Sequence, residues 1–255
     1  MSLAPDRLDR FARHVVLPEI GGAGQVALTR AHIVLVGLGG IGAPALQYLA
    51  GAGIGRLTLV DNGTVEASNL QRQTIYSEAD IETGKTAAAA NWLGRFDPAL
   101  VAEPRTVAVT ADSAAGLVAG ADLVIDGTDN FATRLATSDA CVSAGVPLLS
   151  AAVGRFQGQV GAFAGHQPDQ PCYRCFVGDA FDTDDCDTCA EDGILGAMAG
   201  WVGSFAAMQA VRLLLANISG FGDPQLGRLH ILDGMKPGMR TISIAKDPAC
   251  KACGN

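Results

Sequence analysis

A glycine-rich turn, an acid beyond it, and then an arginine, a lysine and a second acid are the residues of this chain whose types and spacing could do chemistry. Gly37-Leu38-Gly39-Gly40-Ile41-Gly42 follows directly on the apolar run Ile33-Val34-Leu35-Val36, and a second apolar run, Leu57-Thr58-Leu59-Val60, ends in Asp61. Glycines let the backbone approach a ligand closely, a helix start offers N–H groups to phosphate, and an acid about 20 residues on accepts from ribose hydroxyls. Alone, this fingerprint fits NAD or FAD. It is followed, however, by Ser68-Asn69-Leu70-Gln71-Arg72-Gln73, by Lys85, and by Asp126-Gly127-Thr128-Asp129-Asn130. Hydride transfer has little use for such groups around phosphates. Chemistry on ATP does, because Arg and Lys neutralise charge that builds on the triphosphate and an Asp holds Mg²⁺.

Each residue also has a plainer reading. The amides of Gly37, Gly39, Gly40 and Gly42 are placed to meet phosphate, and Asp61, nineteen positions beyond Gly42, argues against a mere tight turn. By residue type alone, Lys85 is equally a solvated charge. Asp129, just past a predicted strand at a helix start, is either a Mg²⁺ ligand or the N-cap of that helix. Arg13, far in sequence from the loop, reads as a surface arginine.

The cysteines supply a second kind of chemistry. Cys172-x-x-Cys175 and Cys250-x-x-Cys253 have structural-zinc spacing, with 74 residues between the pairs. That separation predicts a clip between distant segments rather than a finger, with a redox disulfide as the competing reading. Cys186 and Cys189 form a third pair without two further ligands, and Cys141 reads as a small buried hydrophobe.

These groups need a scaffold. At 255 residues and 49% hydrophobic content the chain suffices for one α/β domain with ample core. The pattern predicts helices over 3–31 with a break at Gly21–Gly24, a strand over 32–37, a helix over 41–52 and a strand over 56–61. A helix from about Gly84 to Arg95, a strand over 102–109, a helix over 112–119 and a strand over 121–126 come next. A helix from Asp129 to Gly145 and a strand from Pro147 to Val153 complete the alternation, which indicates a Rossmann-like, doubly wound parallel sheet. Gln157–Ala164, Arg228–Leu232 and Arg240–Ala245 read as antiparallel strands extending it. The expected organisation is a single domain over 1–255. It comprises an N-terminal helical segment (1–31), a nucleotide-binding core (32–153) and a zinc-clipped part (154–255).

Composition also excludes functions. A net charge of −8, concentrated partly in an acidic stretch at 177–192, argues against a nucleic-acid-binding surface. Gly193 to Val211 is uncharged and mimics a membrane span. The cysteine pairs on either side of it could not meet across a hydrocarbon core of about 30 Å, so it reads as a core or dimer-interface helix. Residues 1–13 contain no apolar stretch of signal-peptide type, so a cytoplasmic location is expected.

Taken together, Gly37–Gly42, Ser68–Gln73, Lys85, Asp126–Asn130, Cys172-Tyr173-Arg174-Cys175, Thr188-Cys189-Ala190-Glu191-Asp192-Gly193 and the terminal cysteine pair resemble the MoeB/ThiF family. These are bacterial relatives of ubiquitin-activating enzymes, and the match is nearest to the molybdopterin-synthase adenylyltransferase branch. It runs from Arg10-Phe11-Ala12-Arg13-His14 to Cys250-Lys251-Ala252-Cys253-Gly254. The resemblance implies ATP-dependent adenylation of the C-terminal glycine of a small ubiquitin-like sulfur-carrier protein ending in Gly-Gly, with release of pyrophosphate, for molybdenum cofactor biosynthesis. A thiamine-pathway or other carrier is the alternative within that chemistry, and an NAD-binding oxidoreductase the alternative outside it. The resemblance further implies that Arg72 and Lys85 contact phosphates, that Asn69 and Gln73 complete the pocket, and that Mg²⁺ sits on Asp129. A homodimer is implied, in which Arg13 reaches the neighbouring subunit's ATP. Zn²⁺ is implied at Cys172, Cys175, Cys250 and Cys253. Cys189 matches a cysteine that engages the carrier in some members. Its acidic neighbours Asp184, Asp185, Asp187, Glu191 and Asp192 disfavour a thiolate, which predicts adenylation without a covalent intermediate.

Overall fold

Four short apolar runs become strands with nearly every residue buried, and the rest of the molecule is built on them. The computed structural model describes residues 3–178, 193–218 and 221–254. Cys186, Cys189 and the acidic stretch from 179 onward therefore lie outside the described residues. The central strands are β1 (His32–Val36), β2 (Arg56–Val60), β4 (Leu123–Asp126) and β5 (Leu148–Gly154). With β3 (Val101–Arg105) they make the parallel part of one sheet, in the order β3-β2-β1-β4-β5. Strands β6 (Gln157–Phe163), β7 (Arg228–Asp233) and β8 (Gly238–Ser243) continue it antiparallel, giving eight strands. A parallel sheet must be covered on both faces, and the core divides accordingly. Ile33, Leu35, Leu57 and Leu59 face one layer; Val34, Val36, Val60 and Val124 face the other.

The first layer holds α3 (Gly21–Leu28), α4 (Gly42–Ala52), α5 (Lys85–Phe96) and the 20-residue α9 (Gly196–Leu215). The second holds α6 (Ala111–Val118), α7 (Phe131–Ala144) and α8 (Tyr173–Val177). Two short helices, α1 (Pro5–Arg10) and α2 (Ala12–Val15), precede them. Helix α9 is long and apolar enough to cross a membrane, yet it packs on α4, β5 and β6. A Cβ at its Gly203 would lie 2.5 Å from the Ile41 carbonyl, and one at Gly196 2.3 Å from that of Gln71. Small residues here bring the helix onto the backbone of the glycine loop and of the 68–73 segment.

Three expectations need correction. Gly21–Gly24 open α3 instead of breaking a helix; the interruption falls at 16–20, where Pro18 stands. The strand expected over 102–109 stops at Arg105, because its partner β2 ends at Val60 and offers no further ladder. Helix α7 begins at Phe131, capped by Asn130 rather than Asp129: the Asn130 side chain accepts from the Thr133 amide at 2.8 Å.

Candidate functional site

The carboxyl ends of β1, β2 and β4 open into a cleft of about 500 Å³. Crevices of this kind in open α/β sheets form at the strand ends where connections diverge to opposite faces. Gly37 turns the chain out of β1 at φ +84°, a left-handed conformation, and a Cβ there would lie 3.1 Å from Gly127. Gly42 is required for another reason. A Cβ on it would stand 1.9 Å from the Gly37 carbonyl oxygen, so the loop closes on itself only with glycine. Helix α4 then starts with no side-chain cap; Ala43 donates to the Gly39 carbonyl and Pro44 has no N–H, so among the described residues the amides left for a ligand are those of Gly39, Gly40 and Ile41 in the loop itself.

Asp61 follows β2 directly and fastens this loop. One carboxylate oxygen accepts from the Leu38 amide at 2.8 Å and the other from Gly63 at 2.7 Å. Tyr76 adds a second brace, its hydroxyl donating to the Leu38 carbonyl at 3.1 Å and lying 3.4 Å from that of Lys85. Burial, and secondarily the Asp61 charge, pushes the Tyr76 hydroxyl well above its usual range, so it remains a donor. Lys85 is the first residue of α5, and its ammonium enters the cleft beside Gly63.

The 68–73 segment forms the adjoining wall. Asn69 is buried and closes a capping box with Glu66. Arg72 donates to the Ser68 carbonyl at 3.1 Å and lies over Gly40. Gln73 is buried, and its side-chain oxygen has no partner among the described residues. An orphaned buried acceptor lining a cleft calls for a donor from a ligand or water. Opposite, Asp129 is exposed to the cleft, and no hydrogen bond or ion pair engages its carboxylate among the described residues. With capping assigned to Asn130, that carboxylate is available to a hard cation such as Mg²⁺, which takes oxygen ligands. Arg134 holds the loop in place, donating to the carbonyls of Thr128 and, at 2.9 Å, Ala151.

The structure thus brings Gly37, Gly39, Gly40, Asp61, Asn69, Arg72, Gln73, Lys85, Asp129 and Asn130 to one cleft. It leaves others out. Gly42 lies behind the loop, Leu70 packs into the core, and Ser68 and Gln71 contribute backbone carbonyls to Arg72 and to the α9 approach. Val107, Ala108 and Val109, expected as strand, instead form an apolar wall of the cleft, and Glu66, Thr133, Val153 and Ile194 also line it.

Arg13 is not among the lining residues. Its segment is attached at the opposite edge of the sheet. Phe11 packs on Gly53, the residue that ends α4, and Arg7 and Arg10 hold Phe96 and Asp97 at the end of α5. Both helices begin at the cleft, and twelve residues of α5 span about 18 Å. Arg13 therefore lies on the far side from its own chain's cleft.

The four predicted zinc ligands do meet. Their sulfurs all lie within 4.8 Å of one another, with separations of 3.4, 3.6 and 3.9 Å among them. Tetrahedral zinc with Zn–S of about 2.3 Å places its sulfurs about 3.8 Å apart, so four thiolates here fit the ion. Burial pushes the Cys172 thiol up and that of Cys253 up to about 11, while backbone amides and neighbouring thiols hold Cys250 down; a bound cation would offset the cost of deprotonating the first two.

Comparison with known proteins follows the same lines. The sequence model described as ThiF family matches residues 11–252. The SAMP-activating enzyme E1 of Haloferax volcanii is 39% identical, over 100% of this chain and 92% of its own length. The sulfur carrier protein adenylyltransferase of Thermus thermophilus is 37% identical (100% and 94%), and the molybdopterin-synthase adenylyltransferase of Salmonella typhimurium 38% identical (99% and 98%). Among solved structures, E. coli MccB with MccA-N7isoASN superimposes with a TM-score of 0.82 at 20% identity, covering 97% of this chain and 75% of that one. At that identity the likeness extends to the fold.

Proposed function

This chain belongs to the ThiF family and is an adenylyltransferase, and we propose that it transfers AMP from ATP to the C-terminal glycine of a small ubiquitin-like sulfur-carrier protein, releasing pyrophosphate. The observation that carries this reading is the cleft's composition. It gathers the cations Arg72 and Lys85 and the acid Asp129, and among the described residues no imidazole or thiol lines it. A C-terminal carboxylate is already a nucleophile, and pyrophosphate leaves without needing a proton. Such a reaction requires charge neutralisation and in-line positioning, not a general base.

The roles follow from placement. The amides of Gly39, Gly40 and Ile41 receive phosphate, and Asp61, held by Leu38 and Gly63, accepts from ribose hydroxyls with its remaining lone pairs. The Val107–Val109 wall offers an apolar seat for the base. Arg72 and Lys85 face charge that develops on the phosphates as the carboxylate attacks the α-phosphorus. Asp129 would hold Mg²⁺, which when bound screens the triphosphate. E. coli MccB, of the same fold, has been solved with ATP.

Residues 154–255 are assigned to the carrier and to a dimer. Strand β8 is an edge with every residue exposed, Met239 and Ile242 included, and an edge can accept a strand from a partner. Ile194 brings this part to the cleft, beside Val153 of the core, where a Gly-Gly tail must end. Since Arg13 lies at the far edge, we assign it to the ATP of a second copy in a homodimer. The zinc clip and its reduced thiols suit the cytoplasm. Among carriers, that of molybdopterin synthase is our first choice; relatives of similar identity carry names pointing to others.

The test is ATP–pyrophosphate exchange dependent on a carrier ending in Gly-Gly, beginning with the small subunit of molybdopterin synthase. Asp129→Ala should abolish exchange with melting temperature unchanged. Exchange without any carrier, or full activity in the variant, refutes the assignment. Carriers compared side by side then identify the pathway.

A further inference from the structure

The N-terminal segment is fastened to the fold through one buried carboxylate. Asp97, at the end of α5, is 1% exposed. Its two oxygens accept from Arg7 Nη1 at 2.7 and 2.8 Å, Arg10 Nε lies 3.5 Å away, and the Ala99 amide donates at 3.1 Å. Arg10 also donates to the Phe96 carbonyl at 3.0 Å. The two guanidiniums lie over the rings of Phe11 and Phe96. A buried carboxylate is costly unless paired, so this acid persists because of what it grips. Arg7 and Arg10 stand three positions apart and share one face of α1, so gripping both fixes the rotation of that helix. Only Phe11 separates α1 from α2, which carries the exposed Arg13.

We propose that Asp97 is a positioning residue for Arg13: by clamping α1 it sets where α2 points, so that one chain presents its arginine to the cleft of a second copy. This rests on the reading that Arg13 acts across a dimer. The competing route runs the other way along α5, from Asp97 to Lys85 in the same chain's cleft. The two routes are separable, because they assign the defect to different halves of a composite site.

Asp97→Asn keeps the size of the side chain and removes its charge; Arg7→Gln loosens the clamp from the other partner. Each should lower carrier-dependent exchange at least tenfold. Each is then mixed, after verified subunit exchange, with Asp129→Ala, which lacks a working cleft, or with Arg13→Ala, which lacks a working arm. If Asp97 positions the arm, mixing with Asp129→Ala restores about a quarter of wild-type activity, since random pairing makes half the dimers mixed, each with one intact site. Mixing with Arg13→Ala restores nothing. Recovery with Arg13→Ala and none with Asp129→Ala overturns the proposal in favour of the route through Lys85. The pair Arg13→Ala with Asp129→Ala is the control; its failure removes the dimer reading and this proposal with it, and is recognised apart from a failure of Asp97 alone. Amide exchange gives a readout needing no carrier: in Asp97→Asn, amides of 5–16 should exchange at least tenfold faster while those of 85–90 are unchanged. Faster exchange confined to 85–90 refutes the clamp.

Discussion

Removing the metal from the four-cysteine cluster should cost stability without touching the cleft, and the size of that cost follows from topology. Cys172 and Cys250, and likewise Cys175 and Cys253, lie 78 positions apart in sequence and within 3.6 Å in space. A crosslink that closes a loop of this length removes about 15 cal/mol/K of entropy from the unfolded chain, or about 4.5 kcal/mol at 25 °C. For a chain of 255 residues, 1 kcal/mol shifts the melting temperature by about 2–4 °C, so chelation under reducing conditions should lower it by about 9–18 °C. Cys250→Ser leaves three ligands and should give a smaller drop of the same sign. Acid should also release the ion, because protons compete with it for the thiolates. None of the four cysteines lines the cleft, so ATP affinity of the folded fraction should change by less than about twofold. Calorimetry with zinc analysis on the same sample provides the assay. A chain that loses its zinc and melts within about 2 °C of the holoprotein would refute the clip, as would reduced, freshly purified protein without zinc.

Other expectations concern the cleft. Gly42→Ala drives a Cβ to 1.9 Å from the Gly37 oxygen, so ATP affinity should fall at least about tenfold, roughly 1.4 kcal/mol; unchanged titrations would show that the loop yields freely. Asp61→Ala leaves the Leu38 and Gly63 amides without their acceptor, at about 1–3 kcal/mol, and should weaken ATP binding at least as much as Gly42→Ala does. Equal nucleotide affinity by calorimetry would count against its role. Cys189→Ala is expected to retain carrier adenylation, with any defect confined to later sulfur transfer. A carrier thioester at Cys189 detected by mass spectrometry would overturn this.

The sequence carried the sheet because parallel strands buried on both faces leave continuous apolar runs, and the glycine loop because close approach excludes any other residue. What it could not carry depended on partners distant in sequence. Val107–Val109 have the β-branched pattern of a strand, but whether they pair depends on where β2 ends. Asp129 and Asn130 are equally good caps by type; only the extended backbone of Asn130, with φ −122° and ψ 141°, assigns the cap to it and releases Asp129. The brace from Tyr76 and the clamp of Arg134 on the Thr128 carbonyl had no local signal, since each joins segments through carbonyls that every residue possesses.

The position of Arg13 was also invisible, and it bears most on function. In a doubly wound sheet each helix runs from the edge where ligands bind to the edge where they do not. Helices α4 and α5 begin at the cleft with Gly42 and Lys85 and end against the segment bearing Arg13, at Gly53 and Asp97. A cation placed there is of no use to its own chain's phosphates. In the homodimer we propose, the far side of one molecule would meet the cleft of the other and give this cation a use. Asp97 has only one further requirement to meet: that the edge it anchors be rigid enough to aim.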